Sequence, residues 1–87
     1  MGSKQHRELV ASTLRAEKAR AGATFGELSE RLKACGIQQS GNNLKSKFAR
    51  GQMDAGLFLA ILDALGVRTL DLPDLLKDIE PRRNQNR

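Results

Sequence analysis

The chain has 87 residues with no Trp or Tyr, three Phe, one Cys and a net charge of +5, which is room for a single small core and not for two. Hydrophobic content of 39% with 29% charged residues argues against disorder throughout. No window approaches the ~18 consecutive apolar residues of a membrane span, and no apolar stretch follows Met1-Gly2-Ser3-Lys4-Gln5-His6-Arg7, so we expect neither signal nor transit peptide and a cytoplasmic protein.

Every strong periodicity is helical. A first helix is predicted from about Ser3 to Arg7 as far as Ala21, with Leu9, Val10, Thr13 and Leu14 at three-to-four spacing before Gly22. A second starts at Thr24-Phe25-Gly26-Glu27, a capping-box pattern in which the hydroxyl accepts an orphan amide while Glu27 reaches back. Its stripe is Phe25, Leu28 and Leu32, closed by Gly36. A third, roughly Ser40 to Arg50, has only Leu44 and Phe48 as anchors. At 100° per residue, Asn42, Ser46, Ala49 and Arg50 lie opposite those anchors with Asn43 beside them, and Lys45 and Lys47 fall on the flanks. The fourth begins at Asp54 and carries Leu57, Phe58, Ile61, Leu62 and Leu65 up to Gly66, which predicts the central core helix.

Residues 67–72 read either as a short strand or as an extended linker, because Leu70 and Leu72 alternate with Thr69 and Asp71. Pro73 suits a first helical turn, followed by Leu75, Leu76 and Ile79. The expected architecture is all-α: a compact bundle of about five short helices in one domain over residues 1–80. Residues 81–87 have nothing to bury and are expected to form a disordered basic tail.

The charge is segregated along the chain. Met1 to Met53 holds ten cations against four carboxylates (+6), Asp54 to Glu80 two against six (−4), and Pro81 to Arg87 three against none (+3). One half is thus suited to face a polyanion. Little catalytic or metal chemistry is on offer. One His6 and one Cys35 cannot make a histidine or cysteine cluster, and His6 is expected to lie in a frayed terminus. The glycines fit no phosphate-loop order, and Asp54, Asp71 and Asp74 sit at helix starts, where capping explains them. We expect no enzyme, no cofactor and no metal. A lone cysteine excludes an internal disulfide and agrees with a reducing compartment.

From Thr24 to Val67 the order of features resembles helix-turn-helix proteins of the lambda-repressor (Cro/C1-type) class. The residues that carry the resemblance are Glu27-Leu28-Ser29-Glu30-Arg31-Leu32, the turn Gly36-Ile37, and Phe48-Ala49-Arg50-Gly51-Gln52. Behind them, Asp54 through Leu65-Gly66-Val67 looks like the core helix that follows in that class. A closer similarity is to a family of short bacterial helix-turn-helix-like proteins of unknown function, which share a cationic first helix and a threonine-aromatic helix start. The motif is lengthened in both halves, with eight positions from Leu28 to Gly36 and fifteen from Gly36 to Gly51.

The resemblance implies that the third helix reads DNA, and its side chains suit that role. Gly36 to Met53 contains amides and cations and no carboxylate, whereas a solvated helix normally mixes in Glu and Asp for pairing. Asn42, Asn43, Ser46 and Arg50 are the candidate base readers; Thr24, Gln39, Ser40, Lys45 and Lys47 are the candidate backbone contacts. Lys4, Arg7, Arg15, Lys18 and Arg20 of the first helix read as its wet face or as further backbone contacts. One short helix reads few bases, so members of this class pair to place two such helices about 34 Å apart. Leu70, Leu72, Leu75, Leu76 and Ile79 exceed what so small a core needs and form the expected dimer surface. The reading is therefore sequence-specific double-stranded DNA binding by a homodimeric transcriptional repressor. The alternative is a helical protein-interaction module, antitoxin-like or a phage accessory adaptor, whose partner is another protein.

Overall fold

The chain starts a helix wherever it offers an oxygen to the first orphaned amides. Thr24, Ser40, Asp54 and Asp71 each hold extended backbone and accept, through the side chain, from the amide three residues on. In the computed structural model, which describes residues 4–77 and 79, they open four of five helices: α1 (Lys4–Ala21), α2 (Phe25–Ala34), α3 (Gly41–Arg50), α4 (Ala55–Ala64) and α5 (Leu72–Leu76). Thr24 and Glu27 complete the predicted capping box, with bonds of 3.0 and 2.9 Å. The ends of α2 and α4 share one device. The amides of Ile37 and Val67 reach back to the carbonyls of Leu32 and Leu62, and those of Gly36 and Gly66 to Lys33 and Asp63.

The all-α fold stands, and no strand occurs among the described residues. Residues 67–71 are an irregular linker, which decides between the two readings of that stretch. Helix α1 begins at Lys4, so His6 lies inside a formed helix and not in a frayed end. Residues 81–87 lie outside the described residues.

The innermost side chains are Leu14, Leu28, Leu32, Leu44, Phe48 and Ile61, drawn from all four longer helices. Helix α4 carries the largest share of the core cluster, Leu57, Ile61, Leu62 and, at its cap, Leu65, as its wide apolar face predicts. Helix α3 packs against both α1 and α2, whereas the principal helix partner of α4 is α2. Two anchors on a polar helix suffice because both are fully used: Leu44 is 0% exposed and Phe48 1%. Helix α4 buries Leu57, Ile61 and Leu62 and leaves Leu59, outside that face, 63% exposed.

The contact of α1 with α3 is backbone against backbone. Gly51, in the left-handed conformation (φ +63°), caps α3 and is buried. A Cβ there would stand 1.9 Å from the Arg7 carbonyl oxygen and 3.1 Å from the Ala11 amide nitrogen. Glycine is required at this position for its φ and for its lack of a side chain. Gly51→Ala is therefore expected to destabilise by more than about 2 kcal/mol, since strain and overlap combine. Gly36→Ala, at φ +84° with open space around the missing Cβ, is expected to lose only about 1 kcal/mol. Urea unfolding followed by circular dichroism compares the two.

Candidate nucleic-acid interface

Helix α3 is held from beneath and bare above. Ser40 closes its N-terminus by accepting from the Asn43 amide at 3.0 Å, and Gly51 closes its C-terminus. Opposite Leu44 and Phe48, the side chains of Asn42, Asn43, Ser46, Ala49 and Arg50 are exposed, as is Lys45. Lys47 is half-buried. The four predicted base readers thus share one exposed face, with Lys45 and Lys47 on its two sides.

This face lacks negative charge. Among the described residues the ion pairs are Arg20 with Glu17 and Lys77 with Asp74, and none involves Lys45, Lys47 or Arg50. The first turn of α3 has no acidic residue, so the neutral Ser40 cap on the Asn43 amide leaves its dipole without a compensating charge. The adjacent start of α2 differs. A Cβ at Gly41 would lie 3.7–3.8 Å from Phe25 and the Gly26 nitrogen, which puts the two helix starts side by side. At α2, however, the Glu27 carboxylate already occupies the end.

That arrangement sorts the predicted backbone contacts. Lys45 is exposed, and Ser40 is exposed at a helix start that carries no carboxylate. Thr24 is exposed, but its amide and hydroxyl are both engaged in the capping box beside Glu27. Gln39 is half-buried; its backbone carbonyl accepts from the Ser29 hydroxyl at 2.6 Å, and its side-chain Oε1 is enclosed without a partner. The bond from Ser29 ties the turn back to α2 and fixes where α3 begins.

Lys18 has a position that sequence reasoning did not single out. Its Nζ lies 4.3 Å from the centroid of the Phe25 ring, and that ring meets Phe48 edge-on at 5.0 Å and 84°. A seven-residue separation across a glycine turn carries no periodic signal, so only the packed structure brings this cation to the start of α2.

The predicted dimer residues divide. Leu70, Leu75 and Leu76 are half-buried and Leu72 is 59% exposed. With Leu9, Val10 and Phe58 they line an apolar cavity of about 180 Å³ between α1, α4 and α5. Ile79 is only 6% exposed, which takes it off the surface: it is packed within the chain. Among the described residues, no group of three or more His, Cys, Asp or Glu is placed to hold a metal ion, and no helix is long and apolar enough to cross a membrane.

Residues 6–70 match a domain of unknown function, DUF6471. The chain belongs to the DUF6471 family. The matched span covers α2, α3, α4 and nearly all of α1, and stops before α5, so the bare face of α3 lies within the DUF6471 domain while Leu72, Leu75 and Leu76 lie beyond it. No curated protein and no solved structure matches the chain.

Ser40→Ala is expected to lower stability by about 1 kcal/mol through loss of the cap, with Ser40→Asp recovering it. Urea midpoints at constant slope measure both.

Proposed function

We propose that this DUF6471 protein binds double-stranded DNA through the exposed face of α3, as a homodimeric transcriptional repressor. The observation that carries the reading is the combination on α3 of rigid seating with an unneutralised outer face. A helix read by a partner must be fixed in place, and Leu44, Phe48, Ser40 and Gly51 do that from below and at both ends. What it then offers outward are the amides of Asn42 and Asn43, the Ser46 hydroxyl and the guanidinium of Arg50. These are groups able to hydrogen-bond base edges in a major groove. Ser40, Lys45 and Lys47 stand on its borders, where phosphates would lie.

Pairing of two copies follows from the geometry a single short helix imposes, and the apolar cavity edged by Leu70, Leu72, Leu75 and Leu76 supports it. This surface is edged by α5, the segment before it and residues of α1 and α4, and none of the candidate reading residues Asn42, Asn43, Ser46 and Arg50 lines it. The second reading, a protein-interaction module, draws on the same apolar cavity and on exposed Leu59 and Leu72. In it the cavity receives another protein and α3 is only a solvated helix.

Fluorescence anisotropy with a labelled mixed-sequence duplex separates the two. Duplex affinity is expected to fall steeply between about 50 and 200 mM salt, and Asn43→Ala combined with Arg50→Ala to weaken binding to a selected site at least about tenfold. Absence of duplex binding at low salt, or indifference to the double substitution, rejects the DNA reading. Leu72→Asp is expected to shift sedimentation from dimer to monomer. A wild-type chain that sediments as a monomer on DNA removes the dimer from the proposal.

A further inference from the structure

The Lys18–Phe25 contact differs from other cation placements in this chain. Two of the cations lie against carboxylates, Arg20 on Glu17 at 2.7 Å and Lys77 on Asp74 at 3.3 Å. Lys18 is instead laid across an aromatic face, half-buried, and among the described residues no carboxylate lies within 4 Å of its nitrogen. Both acidic residues nearest to it along α1 and α2 have other partners. Glu17 holds Arg20, and Glu27 holds the Thr24 amide at 2.9 Å.

A ring and a carboxylate do different things to an ammonium. Each restricts where it can go, but the ring's quadrupole leaves the full positive charge available to a second partner, whereas a carboxylate neutralises it. The ring that holds Lys18 is itself fixed, edge-on to Phe48, the buried anchor of α3. Phe25 also lies beside Gly41, the first residue of α3, where an added Cβ would come within 3.7 Å of the Phe25 Cβ. The stack Lys18, Phe25, Phe48 therefore locks a charge on α1 to the frame of α3. Flexible lysines elsewhere on the surface must be ordered by a ligand at an entropic cost, which a pre-positioned lysine largely avoids.

We infer that Lys18 contacts a backbone phosphate of the bound duplex and fixes how α3 is set in the groove. The inference rests on the DNA-binding reading above and adds to it a contact from α1. Phosphate contacts set register and orientation and carry no sequence information of their own. Lys18 thus acts as a positioning residue, complementary to Asn43 and Arg50, which address the bases.

Salt titrations of duplex affinity on the full chain test it, with a labelled mixed-sequence duplex as the probe. Lys18→Met is expected to weaken binding about fivefold at 0.15 M salt and to reduce the slope of log K against log salt by about 0.9, the signature of one lost phosphate contact. Lys18→Arg is expected to restore both, since a guanidinium keeps the charge and also stacks on the ring. Lys77→Met removes the same formal charge from α5 and is expected to leave the slope unchanged. If wild-type protein binds the duplex and Lys18→Met keeps its full slope, or if Lys77→Met lowers the slope equally, Lys18 is no positioned contact and the inference is overturned while DNA binding stands. If the wild-type chain binds no duplex, both readings are overturned together.

Discussion

The structure depends on the seating of α3 by two side chains. Leu44 and Phe48 lie one turn apart on a helix that is otherwise polar, and both are buried almost completely. Fully burying a leucine and a phenylalanine is worth roughly 1.5–3 kcal/mol each. That gain, together with caps at both ends, holds a ten-residue helix far too short to persist alone in water. Everything proposed for the outer face presupposes this arrangement, because an unneutralised row of amides and cations is useful to a partner only when its orientation is set.

The neighbours of Phe48 explain how one anchor governs three helices. Its ring meets Phe25 at the start of α2, and Phe25 in turn supports Lys18 from α1. At the other end of α3, Gly51 lets the Arg7 carbonyl approach to a distance no side chain would permit. Helix α1 is thus tied to α3 through its first turns at Gly51 and through its last turns by way of Phe25. The segregated charge of the sequence takes on a direction in this frame. The basic half surrounds α3, and the acidic half holds α4, the linker and α5, where an apolar cavity between α1, α4 and α5 gives a second, different kind of surface.

Much of the fold was legible in the sequence because the signals were local. A capping residue needs only its own hydroxyl or carboxylate and the amide three positions on, so Thr24, Asp54 and Asp71 marked helix starts without knowledge of what packs where. The three-to-four spacing found the buried stripes for the same reason. Apolar composition pointed to α4, whose predicted face buries Leu57, Ile61, Leu62 and Leu65, but it did not show that Leu44 and Phe48 alone seat the polar helix α3 against both α1 and α2. Ile79, expected on the dimer surface, is buried, because a count of leucines and isoleucines does not say which of them the chain covers itself.

The sequence by itself determined that this protein is a small all-α domain with a carboxylate-free third helix and charge divided between its halves. Those properties follow from residue identity and from the fixed period of the helix. Tertiary structure decided which of the candidate residues share that helix's environment. It enclosed part of Gln39, took Ile79 inside and brought Lys18 across a glycine turn onto Phe25. Contacts between helices depend on crossing geometry and on the close approach at Gly51, and neither is written in any local pattern of residues.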